Sequence, residues 1–464
     1  MKRWSHLSNI ACPSCSFAPR AAHSLFGVMD VKKKLVRQTI GLSGSHFVVR
    51  VLGFFLRIVL SRELGATAMG LVELAHSAQQ LLITPVVSGL PAAVSRMSAQ
   101  AGENPGRQSR VLRCAMALAL LISLPLSVCA FLLRGTISAW LGDMRTLPAL
   151  LLFLPCIPVL AISCVLNGYF YGTGRPALPA AAELLEQALR FFLCLRLCTW
   201  LTCMPLALRA AIPAAGTLAG ELAGLLLLLP LCLRPLLHTR GNGSRRETFS
   251  ELLSLSLPLT GMKLVSSLTR TVNATLIPAR LTVSGLPGGE ALSLLGMMNG
   301  MLMPVLLLPS FITCSLSMVC APELARRQAQ GRPLRRLCLR ALGVALGVGL
   351  CAMAGVYLFA PLIAGRIYRQ AELLPLLRRC CALIPVFALS QVVGGLLGGL
   401  GLQRAVLRIT LLCGVIGVVL NYLLVAQPSL RLWGAVISLT LTQLLALLLS
   451  ARTLLHAVSP RAGA

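Results

Sequence analysis

The sequence predicts an all-α polytopic membrane protein, with about 12 transmembrane helices in two parallel six-helix bundles. The first observation is composition, because the 464 residues are 56% hydrophobic and only 12% charged, with a mean hydropathy of +0.83. These values lie outside the range of soluble domains. The second is a series of apolar runs of about 20 residues, the length that crosses a bilayer. The third is an internal repeat that divides these runs into two sets of six.

Each apolar run predicts one span. The predicted spans are 37–60, 70–94, 111–133, 148–171, 182–204, 210–233, 252–278, 291–320, 337–360, 376–400, 405–426 and 432–455. Lys and Arg are most frequent in alternate loops, and such residues accumulate on the cytoplasmic side, so we expect both termini in the cytoplasm. The basic loops also explain most of the formal net charge of +29. That charge indicates contact with anionic membrane lipids, and it does not favour nucleic acid because it never forms one continuous face.

The internal repeat sets the relation between the two halves. Pro158–Gly174 aligns without gaps with Pro385–Gly401, and eight of the 17 positions are identical. Six predicted spans precede the basic linker at Arg234–Glu251 and six follow it. An even number of crossings separates the two copies, so the repeat is parallel, with an axis along the membrane normal. Paired glycines four residues apart occur in both copies, where they allow close packing of helices.

The repeat also suggests domain boundaries. Residues 1–31 are expected to form a disordered N-terminal tail. Within it, Met29 is followed by Asp30 and three lysines at 32–34, which has the form of an alternative translation start before the first span. We expect residues 32–240 to form the N-terminal six-helix bundle and residues 241–464 to form the C-terminal one.

The first helix of each half carries two cations inside its predicted span. Arg50 and Arg57 lie seven residues apart in span one, with His46 on the same side, and Lys263 and Arg270 lie seven apart in span seven. At about 3.6 residues per turn, each pair falls on one helix face. A cation at the bilayer centre costs roughly 2.5–3.5 kcal/mol unless it meets a cavity or a partner. The pattern predicts a cationic central cavity for an anionic ligand. The alternative is that Arg57 snorkels to the interface and Arg50 pairs with a carboxylate on a neighbouring helix.

Five further ionisable groups inside predicted spans are candidates for pairing with these cations or for carrying a coupling proton. They are Glu73 and His76 in span two, Glu186 and Arg190 in span five, and Glu221 in span six. Glu186 and Arg190 are four residues apart, which is the spacing of an ion pair along one helix. Both roles, charge partner and coupling group, stay open at this point.

No pattern in the sequence indicates catalysis, a metal site or a cofactor. The six histidines have no ligand spacing, no phosphate-binding loop or nucleophile elbow occurs, and acidic residues number only 13. Cys12 and Cys15 form a single CxxC without a second pair, which is a weak zinc signal. Most of the 17 cysteines lie in predicted spans, where they behave as small apolar residues. We therefore predict a protein that is not an enzyme.

Several ordered motifs resemble one known family. They are RVLGF at 50–54, SGLPAAVSR at 88–96, LIPARL at 276–281 and LPS at 308–310. Together they resemble the polysaccharide-flippase family of the multidrug/oligosaccharidyl-lipid/polysaccharide (MOP) exporter superfamily. This family includes stage V sporulation protein B (SpoVB) and is related to the lipid II flippase MurJ. The resemblance covers nearly the whole chain from about residue 32.

The resemblance implies the MATE-like fold and a function. Family members move undecaprenyl-pyrophosphate-linked glycans from the inner to the outer leaflet of the bacterial cell membrane by alternating access, which suits spore cortex or peptidoglycan synthesis. The role of a cavity-lining arginine carries over to Arg50. The implied partners are a lipid-linked anionic glycan, membrane lipids and cell-wall synthesis proteins, and not nucleic acid. MurJ-like members have two further C-terminal helices, so the path of a polyprenyl tail stays open here.

Two other functions remain as alternatives to the flippase. A MATE-type multidrug exporter of cationic compounds would need an acidic cavity, and the apolar run at 39–60 contains no Asp or Glu. A non-transporting scaffold for envelope assembly would tolerate replacement of the arginines inside the spans. A flippase that uses these arginines would not.

Overall fold

A computed structural model of the protein describes residues 44–102, 104–237 and 244–458. Within these ranges every regular element is helical. The predicted N-terminal tail, Met29 and the beginning of the first predicted span lie outside the described residues, as do residues 238–243 of the linker. The predicted all-α class is confirmed.

The first half contains ten α-helices and one 3₁₀ turn, Met144–Thr146, among its described residues. The helices are α1 (44–64), α2 (Ala66–Val87), α3 (Leu90–Gln100), α4 (Pro105–Leu132), α5 (Arg134–Trp140), α6 (Leu147–Phe153), α7 (Cys156–Gly172), α8 (Ala177–Trp200), α9 (Leu206–Ala210) and α10 (Ile212–Leu237). Local signals fix some helix starts. At α4 the Asn104 side chain accepts the Arg107 amide N–H at 3.0 Å, and Pro105 takes the first helical position, where no N–H is required.

The second half contains nine α-helices among its described residues, together with the π-helical segments Gly296–Leu302 and Ile363–Ile367. The α-helices are α11 (Arg245–Val283), α12 (Gly288–Leu295), α13 (Met303–Leu306), α14 (Ser310–Ala329), α15 (Arg335–Leu362), α16 (Leu373–Cys380), α17 (Ile384–Gly399), α18 (Gln403–Leu424) and α19 (Leu432–Val458). The 39-residue α11 is the longest of these. It begins where the Ser244 hydroxyl accepts the Glu247 amide N–H at 3.3 Å.

Ten helical segments in the described part of the chain are long and apolar enough to cross a membrane. They correspond to ten of the twelve predicted spans. The other two predicted spans are α1, which is helical from residue 44 and whose beginning lies outside the described residues, and α8, which is helical and carries Glu183, Glu186, Arg190 and Arg196. The multi-pass membrane fold is therefore confirmed, whereas the count of twelve spans is not.

The second helix of each half is broken at proline. The break between α2 and α3 lies between Pro85 and Pro91. The break between α13 and α14 falls at Pro309, directly before α14 begins. Proline has no N–H and its ring clashes with the preceding turn, so it ends or bends a helix. The two halves thus share this interruption.

The paired glycines of the repeat lie at corresponding helix contacts. A Cβ on Gly168 of α7 would lie 2.5 Å from the carbonyl oxygen of Pro91 in α3, and a Cβ on Gly399 of α17 would lie 2.7 Å from the carbonyl oxygen of Ala321 in α14. No side chain fits at such distances, so only glycine permits this approach of the backbones. The glycines therefore pack each half in the same way.

Buried apolar residues form one core that both halves share and further cores that belong to one half. The shared core joins the end of α1 and the start of α2 to the end of α11 and the π segment Gly296–Leu302. At the opposite end of the spans, one core lies among α3, α4 and α7, where the start of α11 also packs. A separate core lies among α14, α15 and α17. The halves thus share one core at one end of the spans, whereas at the other end they have separate cores and meet through the start of α11.

Candidate functional site: two cavities and the helix between the halves

One face of α1 lies against the broken second helix of the other half. The Arg50 guanidinium lies 3.5 Å from the Cys314 sulfur of α14, and the rings of Phe54 and Phe311 meet edge to face with centroids 6.5 Å apart. Arg50 is exposed at this interface. Within the described ranges no carboxylate lies within 4 Å of its guanidinium. The alternative of an ion pair for Arg50 is therefore not what the structure shows.

Arg57 lies at the shared core and has several partners. Its guanidinium donates to the Glu73 carboxylate of α2, to the Asn299 carbonyl at 2.9 Å and to the Gly300 carbonyl at 3.3 Å. Both carbonyls belong to the π segment, and such segments are frequent at functional sites because their bonding pattern departs from the α-helix. The Ser61 hydroxyl also donates to the Gly300 carbonyl, at 3.3 Å. Arg57 therefore ties α1 and α2 to the second half.

We call the space of about 240 Å³ between α1, α2, α8 and α10 the N-half cavity. Four of the predicted ionisable residues line it, namely Arg57, Glu73, His76 and Arg190. The His76 ring nitrogen Nδ1 lies 3.2 Å from Oε1 of Gln79 one turn along α2. The fold thus gathers in one cavity groups that the sequence places on three different spans.

Arg190 forms its ion pair between helices. Its guanidinium lies 3.2 Å from the carboxylate of Glu221 on α10, and Glu221 is only 8% exposed. The pair of Arg190 with Glu186 suggested by their spacing is not formed, and among the described residues no basic nitrogen lies within 4 Å of the Glu186 carboxylate. The helices approach closely here, since a Cβ on Gly220 would lie 2.7 Å from the Glu186 carbonyl oxygen. That approach brings α10, and with it Glu221, to Arg190.

The C-half cavity is a space of about 490 Å³ between α11, the π segment, α13, α18 and α19. Arg270 is the charged residue in its lining. The remaining polar lining residues are neutral: Ser266, Thr269, Asn273, Asn299, Thr410, Asn421, Ser438, Thr442 and Gln443. The Asn421 amide nitrogen donates to the Asn273 side-chain oxygen at 2.9 Å. No carboxylate is present among these lining residues.

Lys263 lies on α11 two turns before Arg270, and both side chains are exposed. In the part of the chain that the structure describes, neither has a carboxylate within 4 Å. Arg50, Lys263 and Arg270 are therefore three cations on the first helices of the two halves without an ion-pair partner in the described ranges. The same ranges contain no group of three His, Cys, Asp or Glu residues placed to hold a metal ion.

Sequence reasoning missed two features of these sites. One is the contact of His46 on α1 with Glu183 on α8, in which the ring nitrogen Nδ1 lies 2.9 Å from a carboxylate oxygen. The other is the neutral lining of the C-half cavity, where Asn273 and Asn421 meet. Spacing along one helix carries no information on contacts between helices. An asparagine inside an apolar span is the one local signal that was present for the second feature.

The described helices, the duplicated break in the second helix and the two cavities define a multi-pass membrane protein with the fold of MOP-superfamily transporters. The structure aligns with the inward-facing conformation of a multidrug resistance MATE transporter of this superfamily with a TM-score of 0.73 and 16% identity, covering 90% of this chain and 100% of that one. It aligns with the inward closed conformation of the lipid II flippase MurJ with a TM-score of 0.70 and 13% identity, covering 89% and 87%. Both likenesses concern the fold.

The profile of the polysaccharide biosynthesis protein family matches residues 35–328, and the chain belongs to that family. The MatE profile also matches, at residues 272–423. Stage V sporulation protein B of Bacillus subtilis (strain 168) is 29% identical over 451 residues, which cover 91% of this chain and 84% of the relative. The superfamily predicted from the ordered motifs is confirmed.

Proposed function

We propose that this protein is a flippase that moves a pyrophosphate-linked glycan on a polyprenyl lipid from the inner to the outer leaflet of the bacterial cell membrane. The observation that carries the proposal is that three cations in the first predicted span of the two halves, Arg50, Lys263 and Arg270, have no carboxylate partner in the described part of the chain. An unpaired cation at the bilayer centre costs roughly 2.5–3.5 kcal/mol. An anionic ligand bound between the halves therefore stabilises these three residues. A pyrophosphate offers several oxygens that guanidinium groups bind in a forked geometry.

The arrangement of the cores supports alternating access. The two proposed bundles, 32–240 and 241–464, share a core at one end of the spans and have separate cores at the other, where the start of α11 also packs against the first half. With both termini in the cytoplasm, the end with separate cores faces the inner leaflet, where the headgroup enters between the halves while the lipid tail stays in the bilayer. Arg57 joins the substrate site when its contacts at the shared core open. A membrane potential that is negative inside favours export of an anion by about 2.3 kcal/mol per charge per 100 mV.

Three of the remaining predicted groups, Glu73, Arg190 and Glu221, act as charge partners in this proposal. Glu73 neutralises Arg57 and Glu221 neutralises Arg190, while His76 and Glu186 lie near these pairs without an ion pair of their own in the described ranges. No step requires catalysis. The similarity to a sporulation protein and to a lipid II flippase supports a substrate from spore cortex or cell-wall synthesis, with cell-wall synthesis proteins as expected partners.

A multidrug exporter is the second candidate function. The MatE match and the carboxylate of Glu186 favour it, since a cationic drug needs an acidic group. Against it, the other carboxylates inside the predicted spans, Glu73, Glu183 and Glu221, each lie within ion-pair distance of a basic residue. The C-half cavity offers a cationic drug Arg270 and no carboxylate.

The test is transport in liposomes that contain the purified protein and a labelled undecaprenyl-pyrophosphate disaccharide. We expect the native chain to move this lipid, and the variant Lys263→Gln/Arg270→Gln to move it at least tenfold more slowly. The matched control is Arg280→Gln, because Arg280 also lies on α11 but stacks on the Tyr422 ring at 4.0 Å. Movement of a cationic dye in place of the lipid would support the exporter, and movement of neither would support the scaffold. Either result would overturn the proposal.

A further inference from the structure

We propose that the C-half cavity binds the sugar part of the substrate, next to a pyrophosphate held by Arg270. This inference rests on the proposed function and names the site of the glycan within it. At about 490 Å³, the cavity falls in the range of roughly 300–1,000 Å³ that is typical of small-ligand sites. The N-half cavity is half that size, and several of its charged groups already bind one another.

A buried acceptor without a partner marks the C-half cavity as a binding site. Asn421 is only 7% exposed. Its amide nitrogen donates to Asn273, but its side-chain oxygen accepts no hydrogen bond within the described structure. Buried polar atoms are rarely left without a partner, and because Asn421 lines the cavity, this oxygen is available to a donor from a molecule inside it.

The hydroxyl groups of the lining add further acceptors. Thr269, Thr410 and Thr442 each donate their proton to the carbonyl one turn earlier in their own helix, at 3.0, 2.9 and 2.8 Å. A hydroxyl that has donated its single proton still has lone pairs to accept hydrogen bonds. The lining therefore offers several neutral acceptors together with the guanidinium of Arg270.

A sugar linked to a pyrophosphate fits this set of groups. Its hydroxyl groups supply the donors that the acceptors require, and its phosphate oxygens suit Arg270. A phosphate alone would leave the neutral acceptors, including the Asn421 oxygen, without donors. A cation would meet Arg270 without any carboxylate, and an apolar drug would leave the Asn421 oxygen without a partner.

The experiment compares two lipids that differ only in the sugar, undecaprenyl pyrophosphate and its disaccharide conjugate, in liposomes that contain the full chain. Asn421→Leu removes the carboxamide at similar volume. We expect Asn421→Leu to lower the transport rate of the disaccharide lipid at least tenfold. The rate for the lipid without sugar should stay within twofold of the native rate. The control is Asn167→Leu, the same change at a half-buried asparagine of α7 that does not line the cavity. It should leave both rates at native values.

The outcomes separate this inference from the proposed function. If Asn421→Leu slows both lipids equally, or neither, the sugar site is wrong although the flippase stands. If the native chain moves neither lipid, the proposed function itself fails. Asn421→Gln, which keeps a carboxamide, should recover part of the disaccharide rate, and Thr442→Val should lower the same rate severalfold if Asn421→Leu does not fold. A native rate that rises with Na⁺ and loses this dependence in Asn421→Leu would assign the oxygens to a cation and overturn the inference.

Discussion

The N-half and C-half cavities lie in corresponding places, each between the first two and the last two spans of its half, yet their chemistry differs. Of the residues that line the N-half cavity, Arg57 is paired with Glu73, and Arg190 is paired with Glu221 of α10. In the C-half cavity, Arg270 shares the lining with neutral amides and hydroxyls. The duplication thus preserved the helix framework and not the charges. We infer that the N-half charges hold the protein together, whereas the C-half charge is available to a ligand.

The physical basis of this difference is the cost of a lone charge in a membrane span. A buried charge that loses its partner destabilises the protein strongly, so a paired arginine is a poor ligand for a transient substrate. An unpaired arginine is stabilised when an anion binds to it. The comparison therefore predicts large losses of stability from N-half substitutions, and losses of transport from C-half ones.

The largest expected effect is the loss of the ion pair between α8 and α10. Arg190→Met leaves the buried Glu221 without its partner, which should lower the free energy of unfolding by about 3–5 kcal/mol. Reversible unfolding in mixed micelles measures it. The double variant Arg190→Met/Glu221→Leu should recover most of this loss because no lone charge remains. A double variant whose loss equals the sum of the two single losses would show that the pair is not coupled.

Arg57 and Arg50 should differ, although both lie on one face of α1. Arg57→Gln removes hydrogen bonds to Glu73 and to two carbonyls of the second half, and should cost about 2–3 kcal/mol, since its side chain is about one-third exposed. Arg50→Gln should change stability by less than about 0.5 kcal/mol but should slow transport. Equal effects of both variants on stability would contradict the distinction between Arg57, which stabilises the fold, and Arg50, which binds the substrate.

Glycine substitutions test whether the two halves pack alike. A Cβ on Gly395 would lie 2.5 Å from the Ser317 Cβ, whereas a Cβ on Gly394 meets nothing within 4 Å. Gly395→Ala should therefore cost about 1–2 kcal/mol by overpacking, and Gly394→Ala should stabilise slightly because alanine is the better helix former. Gly168→Ala in the first half should match Gly395→Ala in the same unfolding assay. If Gly168→Ala left the free energy of unfolding unchanged, only the second half would depend on the close helix contact.

A small effect on stability is also expected from a substitution in the C-half cavity. Asn273→Ala removes one neutral hydrogen bond to Asn421 beside a roomy cavity, so the free energy of unfolding should fall by about 1 kcal/mol or less. Thermal unfolding in detergent is sufficient to detect it. A loss as large as that of Arg190→Met would contradict the view that this cavity is built for a ligand.

Local signals in the sequence were sufficient for the helices and for the break in each second helix. Apolar runs have the length of a span, and Pro85 and Pro309 bend or end the helix at their own positions. The paired glycines also indicate helix contacts, because the lack of a Cβ allows the backbone of a neighbouring helix to lie close. These features depend on single residues and their immediate neighbours, so sequence is enough to find them.

Contacts between helices were beyond the reach of such signals. Spacing paired Glu186 with Arg190 because periodicity reports neighbours on one helix, whereas the partner, Glu221, comes from α10. The two arginines on the predicted cationic face of α1 also differ in a way that spacing does not reveal. Arg57 pairs with Glu73, whereas Arg50 contacts no carboxylate in the described structure. The orientation of neighbouring helices decides these pairs, and no local pattern records it.

The most direct test of the account is the affinity of the protein in nanodiscs for undecaprenyl-pyrophosphate disaccharide. The comparison is between the native chain, the triple variant Arg50→Gln/Lys263→Gln/Arg270→Gln and the control Arg280→Gln. If the unpaired span cations bind the pyrophosphate, the triple variant should bind at least 100-fold more weakly, which corresponds to about 2.7 kcal/mol, while the control binds like the native chain. Equal affinity of the triple variant and the native chain would contradict the account.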